Sequence, residues 1–324
     1  MSDTPLVIKS GRSEVAFPLP PIITDEGPRA TKRFLEFFTA NIRNKNTRLS
    51  YARAVAAFLA WCDERRVSLQ HIEPMIVAGY IEALTKERAP QTVKQSLAAI
   101  RMLLDWMVVG QVIPFNPAAS VRGPRYSIKK GKTPVLSADD ARRLLDSIDT
   151  SHVVGLRDRA LIGVMVYSFA RVSAVVKMKV KDYYPNGKRY WLRLHEKGGK
   201  YHEVPAHHTA EGYLDEYIEA AGIGGEKKKP LFRTTRGQSR TLTDRGLDRE
   251  RAWAMIKRRV GDAGVSLEVR CHTFRATGIT EYLRNGGTVE KAAQIAAHES
   301  TRTTQLYNRT DDELTLVEIE RIVI

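Results

Sequence analysis

The sequence predicts a mainly α-helical protein with a small β-hairpin or sheet, arranged as two domains. Three observations carry this. Apolar residues recur at three- and four-residue steps along most of the chain, which is the pattern of amphipathic helices. Strand-like alternation is clear only around Tyr190, Leu192 and Leu194. The chain is also long for one core at 324 residues, and a stretch rich in proline, glycine and lysine interrupts the helical pattern at 115–134.

Residues 1–28 (…FPLPPIITDEGP) have no sustained period and read as an N-terminal extension of little order. Helical patterning starts near Ala30, with Phe34, Leu35, Phe37, Phe38 and Ile42 on one stripe. A second helix follows in KNTRLSYARAVAAFLAWCDERR, with Asn46 or Thr47 as N-cap and Tyr51, Val55, Phe58, Leu59 and Cys62 inward. A third spans Pro74–Lys86 through Ile76, Val77, Tyr80, Ile81 and Leu84, and Pro74 suits its first turn. The fourth, APQTVKQSLAAIRMLLDWMV, buries Val93, Leu97, Ile100, Leu103, Leu104 and Met107. Residues 29–114 therefore read as one helical domain. Between Ser120 and Ser137 lie Arg122, Arg125, Lys129, Lys130 and Lys132 and no acid, so 115–134 reads as a basic strap for phosphates.

A second domain, 135–310, opens at Ser137, an N-cap ahead of two aspartates. A helix pair leads to the hairpin, whose turn is Lys197-Gly198-Gly199-Lys200 and whose second strand passes through Val204. Further helices are expected near 209–222, 244–263, 272–285, 289–297 and 301–308. Residues 311–324 form an apolar tail, LTLVEIERIVI, suited to packing on its own domain or on a neighbouring copy.

Composition narrows the function. A net charge of +15 suits a polyanionic partner. No apolar run approaches the roughly 18–20 residues of a membrane span, and the N-terminus lacks a signal-peptide core. Two distant cysteines, Cys62 and Cys271, point to a reducing compartment without a disulfide framework. A cytoplasmic, nucleoid-associated protein fits best.

The chemistry gathers in CHTFRATGITEYLRNGG and AAHESTRTTQLYNR. His272 and Arg275 are three apart on one helix face. Asn285-Gly286-Gly287 ends that helix, Thr288 caps the next, and His298 stands at its end. Ser300 or Thr301 opens a last helix carrying Tyr307. Singly, these residues read as a helix cap, a surface charge, a dipole partner and a packing aromatic. Jointly, with Arg171 and the Lys197 turn, they suit phosphoryl transfer. Two arginines hold non-bridging oxygens, histidine takes a phenolic proton, lysine protonates the leaving oxygen, and tyrosine forms a phosphotyrosyl ester. Zinc is disfavoured, because the histidines stand 26 apart with no HExxH or CxxC, and neither a P-loop nor GxSxG occurs. No metal or cofactor is expected.

These boxes, with FARVSAV around Arg171 and LHEKGGKYHEVP at the hairpin, resemble those of the tyrosine recombinases, the phage-integrase type of site-specific recombinase. The segment NTRLSYARAVAAFLAWC is similar to their core-binding, SAM-like domain, so the resemblance spans roughly residues 30–310. It implies that Arg171 and Arg275 clamp the scissile phosphate, Lys197 is the general acid with Lys200 as fallback, His272 accepts a proton or donates to phosphate, and His298 is a second donor. Tyr307 would be the nucleophile of a 3′-phosphotyrosyl intermediate. It further implies two domains closing around double-stranded DNA and a tetramer exchanging strands through a Holliday junction. Accessory DNA-bending or directionality proteins are implied partners, and the tail is a protomer-exchange segment. Candidate DNA contacts in the helical domain are Arg48, Arg53, Gln91, Thr92, Lys94 and Arg101.

Two positions depart from the family pattern. Ala174 stands where many relatives carry an acid three residues after the first arginine, and Ala276 replaces a common histidine. Two other readings stay open, a type IB topoisomerase-like relaxing enzyme and a non-catalytic architectural DNA-binding protein.

Overall fold

Residues 6–10, 13–127, 131–196, 201–237, 239–265 and 268–308 are described by a computed structural model. The chain divides into two units, Met1–Ser127 and Ile128–Ile324.

The proline-rich start of the first unit is folded, contrary to the expectation of little order. Strands β1 (Leu6–Ser10) and β2 (Ser13–Phe17) pair antiparallel, with Leu6 opposite Phe17. Prolines 20 and 21 then set the short helix α1 (Pro21–Thr24), and Ile22 and Ile23 enter the core. Helix α2 (Pro28–Glu36) runs into a π-helical turn, Phe37–Asn41, that turns Phe37 and Phe38 inward. Helix α3 (Lys45–Glu64) is capped by Asn44, whose side chain accepts from the N–H groups of Asn46 and Thr47. The cap therefore sits ahead of the expected Asn46 or Thr47, because Asn44 holds the extended backbone an N-cap needs. Helices α4 (Pro74–Glu87) and α5 (Pro90–Val109) both begin on proline, where the missing N–H does no harm. Val55, Phe58 and Leu59 of α3 meet Val77, Ile81, Val93, Leu97, Ile100 and Leu104 in one core.

In the second unit, α6 (Ala138–Asp146) starts on Ser137, which accepts from the Asp140 N–H. Helix α7 (Val153–Tyr167) is buried along most of its length, and α8 (Val172–Val175) follows. The expected hairpin is part of a three-stranded sheet. Strand β3 (Tyr183–Asn186) adds to β4 (Arg189–His195) and β5 (Tyr201–Pro205), with β4 central and Leu192 and Leu194 buried. Pro185 hides β3 from a strand reading, yet an edge strand tolerates its missing donor. After α9 (His208–Ala221), a second unexpected hairpin forms from β6 (Arg233–Thr235) and β7 (Leu242–Gly246). The helix expected from 244 therefore begins later, as α10 (Arg249–Asp262), capped by Asp248. Helices α11 (Cys271–Arg284), α12 (Val289–Ile295) and α13 (Thr301–Gln305) complete the described chain.

Two features hold this unit in register. Asp158 of α7 is fully buried and accepts from both Arg157 and Arg259, tying α7 to α10, while Arg157 also donates to the Arg233 carbonyl. Such a carboxylate is tolerated inside only because it is fully paired. Helix α11 crosses α7 at Gly278, where a Cβ would stand 2.1 Å from the Val166 carbonyl oxygen and 2.7 Å from the Phe169 ring. Gly278→Ala should therefore lower unfolding stability by about 1–3 kcal/mol, the usual range for overpacking. An unchanged denaturant midpoint would mean that the helices separate freely at this crossing.

Candidate active site

Arg275 lies one turn into α11 and its residue is only 1% exposed. Its guanidinium donates to two carbonyls, that of Phe169 and that of Ala296 (2.6 Å). The Phe169 carbonyl is presented by a left-handed backbone (φ 53°), a conformation that bulky residues adopt only when held there. The buried Nε of Arg275 has no hydrogen-bond partner among the described residues. Two residues beyond Phe169, Arg171 stands at the N-cap of α8, half-exposed, and donates from one terminal nitrogen to Glu196 at 2.7 Å.

His272 sits one turn before Arg275 on α11, and its Nε2 is 2.5 Å from the Tyr307 hydroxyl. Tyr307 is 7% exposed and follows α13 rather than lying inside a helix to 308 as the pattern predicted. Its N–H donates to Thr304, and its carbonyl accepts from the buried Thr280 hydroxyl at 2.9 Å. The preceding carbonyl, of Leu306, accepts from the Gly131 N–H, where a Cβ would come within 2.5 Å. The linker glycine thus lies against the tyrosine segment.

His298 is delivered by the end of α12. The Ala297 N–H bonds the Gln294 carbonyl and the His298 N–H bonds the Ala293 carbonyl, with Ala297 left-handed at φ 48°. This is a Schellman turn with alanine in the place that glycine usually takes. The His298 ring stacks on Tyr307 (centroids 5.9 Å, planes 8° apart), and its Nδ1 contacts the Thr304 hydroxyl at 2.8 Å.

The electrostatics follow from the two arginines. Desolvation and then the charges of Arg275 and Arg171 hold His272 below the ordinary imidazole value. The same causes, in the same order, push His298 down to about 3. Both rings are therefore neutral at pH 7. Burial raises the Tyr307 phenol, while Arg275 and Arg171 oppose the rise. Arg275 itself falls to about 10, chiefly through desolvation and then through repulsion by Arg171. The arrangement is a pair of fixed cations beside a phenol that hydrogen-bonds a neutral base.

Five of the six expected catalytic residues thus converge, and Lys197 lies outside the described residues, as do Lys129, Lys130, Lys200 and the tail 311–324. Arg122, Arg125 and Lys132 of the linker are exposed, as are Arg53, Thr92 and Lys94 of the helical unit. Arg48 and Arg101 instead donate to carbonyls of their own unit, Arg48 to Ile42 and Arg101 to Ala118 and Val121, and Gln91 pairs with the Tyr126 hydroxyl. Sequence reasoning missed Thr280, Thr304, Glu196 and the Phe169 and Ala296 carbonyls. The threonines look like ordinary helix residues, and backbone acceptors leave no trace in side-chain identity.

The family model described as "Phage integrase family" matches residues 134–313, and that of its N-terminal SAM-like domain matches 32–109. The chain belongs to the phage integrase family. It is a tyrosine recombinase, an enzyme of site-specific DNA recombination. It is similar to the tyrosine recombinase XerD of Listeria innocua (26% identity; 81% of this chain, 87% of the relative). It is also similar to XerC of Salmonella typhi (26%; 81% and 84%). Among solved structures, the fold resembles XerH recombinase bound to palindromic difH substrate (TM-score 0.68, 18% identity; 94% of this chain and 89% of that one). It likewise resembles a lambda integrase tetramer bound to a Holliday junction (TM-score 0.65, 17%; 88% and 79%). Family membership favours recombination over the relaxing-enzyme and architectural readings. DNA is the recombinase's partner, and no helix among the described residues is long and apolar enough to cross a membrane.

Two measurements probe the site directly. Ala297→Gly relieves a left-handed alanine and should raise stability by up to about 1 kcal/mol, seen as a higher denaturant midpoint; a lower one would show that the Ala297 methyl is needed for packing. The folded-state values of His272 and His298 lie below the unfolded one, so their contribution to stability is full above about pH 6.5 and is lost as pH falls through the folded values. By NMR, both imidazoles should titrate below that ordinary value, His298 at about 3; titration at or above it would contradict their burial beside the two arginines.

Proposed function

We propose that this recombinase cleaves and rejoins DNA by metal-independent transesterification at Tyr307. One observation carries the reading: the Tyr307 hydroxyl is hydrogen-bonded to a neutral His272 beside the buried Arg275, all in one chain. The scissile phosphate is held by the free edge of Arg171 and by the fixed positive charge of the buried Arg275 behind it. The phenol oxygen attacks phosphorus as His272 Nε2 takes its proton. A 3′-phosphotyrosyl ester forms, and the bond to the 5′-oxygen breaks as Lys197 protonates that oxygen. His298, whose Nδ1 is hydrogen-bonded with the Thr304 hydroxyl, is the second donor to the phosphate through Nε2 in the tautomer protonated there. In the reverse step, a 5′-hydroxyl of the partner strand displaces Tyr307, so the ester conserves the energy for joining.

Pairwise exchange by four protomers proceeds through a Holliday junction, and the tail 311–324 links neighbouring protomers. The likeness to a Holliday-bound tetramer supports this assembly. Lys129, Lys130 and Lys200 join the exposed Arg122, Arg125 and Lys132 along the phosphates, while Arg53, Thr92 and Lys94 serve the helical domain's DNA face. Accessory DNA-bending or directionality proteins set which sites are joined. The protein works on cytoplasmic, nucleoid DNA.

The test uses a nicked suicide substrate carrying the site recovered from DNA flanking the gene. Wild type should give a protease-sensitive covalent adduct in the presence of a chelator, and Tyr307→Phe should give none. Because Tyr307 is held by its own chain's His272, mixing Tyr307→Phe with Arg275→Ala should not restore the adduct. Restoration would show that the nucleophile acts on a phosphate clamped by another protomer.

A further inference from the structure

Two guanidinium groups that repel each other need something to hold the outer one. Arg275 is fixed by two carbonyls, but Arg171 is half-exposed, and among the described residues its hydrogen-bond partner is a single carboxylate, Glu196. We propose that Glu196 is the positioning residue for Arg171, orienting its guanidinium toward the scissile phosphate. The proposal rests on the assignment of Arg171 to the phosphate clamp.

Three observations carry it. The Glu196 side chain is 8% exposed against 39% for Arg171, at a separation of 2.7 Å. The acid is the deeper partner, so it backs the arginine and leaves the exposed edge free for DNA. Its backbone is anchored, because Glu196 directly follows β4, whose last residue, His195, pairs with Tyr201 of β5. A carboxylate on that fixed strand end restricts the many rotamers of a half-exposed arginine. Finally, the negative charge of Glu196 reaches Arg275 and opposes the depression that Arg171 causes there. One acid thus orients one arginine and offsets part of the repulsion felt by the other.

The short helix α8 does not supply this carboxylate. Three residues after Arg171 it places Ala174, 1% exposed and packed in the hydrophobic core. The acid comes instead from the residue that follows β4, 25 residues away in sequence. Lys197, the proposed general acid, is the next residue in the chain.

The experiment compares wild type, Glu196→Gln and Glu196→Asp for single-turnover cleavage of the suicide substrate, DNA affinity and thermal midpoint. Gln keeps the size and removes the charge. Its cleavage rate should fall roughly ten- to a hundredfold, the effect of losing one charge-assisted hydrogen bond. DNA affinity should change little and the thermal midpoint should hold, while Glu196→Asp should recover part of the rate. A merely structural role would lower the midpoint instead. Cleavage by Glu196→Gln at the wild-type rate would overturn the proposal. So would faster cleavage with tighter DNA binding, which would mark the carboxylate as a stand-in that phosphate must displace. Absence of an adduct in wild type would overturn the proposed function itself, and this inference with it.

Discussion

A buried guanidinium is the constraint on which this catalytic domain is built. Arg275 lies almost wholly out of water, where an unpaired charge would cost several kcal/mol. The chain meets that demand with two backbone carbonyls from segments far apart in sequence, Phe169 and Ala296. Each carbonyl is presented next to a left-handed turn, at Phe169 itself and at Ala297. Strain at both places is therefore coupled to one side chain. The same turns carry the other functional groups, since Arg171 lies two residues after Phe169 and His298 two residues after Ala296.

Charge organises the rest of the site. Burial, and then the two arginines, lower both histidines, so the ring that meets the Tyr307 hydroxyl is an uncharged imidazole at neutral pH. The arginines also oppose the rise that burial imposes on Tyr307. A net positive, partly dehydrated cluster suits a transition state that gathers negative charge on phosphate oxygens, because its dipoles and charges are in place beforehand. Under the cluster lies a small core of Phe169, Ala276, Ile279, Leu283, Ala292 and Ala296, closed by Tyr307 itself. Ala276 and Ala296 are small, so α11 and α12 pack closely beneath the tyrosine. Ala276 is itself fully buried in that core.

Helix periodicity and caps were legible because they are local. The stripes through Val55–Cys62 and Val93–Met107 are buried as their spacing requires, and Ser137, Thr288 and Ser300 cap the helices they precede. Short strands were less legible. Tyr183–Asn186 and Leu242–Gly246 are four and five residues long, one holds a proline, and each is a strand only because a partner strand lies beside it. The N-terminal isoleucines were missed for a similar reason: Ile22 and Ile23 acquire meaning from a core assembled elsewhere.

For the site, the sequence by itself determined which reactive groups exist and, through the spacing of His272, Arg275, His298 and Tyr307, that they belong to three successive helical segments. His272 and Arg275 lie on one helix, and His298 and Tyr307 just past the ends of the next two. Side-chain identity and helical period are written in adjacent residues. Tertiary structure alone decided how those groups are held. It bent the chain after α13 so that Tyr307 meets His272, tied that bend through Thr280, and brought Glu196 from the end of a distant strand to Arg171 where Ala174 could not serve. These depend on backbone carbonyls and on strand pairing across long stretches of chain, and neither is encoded in any one local stretch of residues.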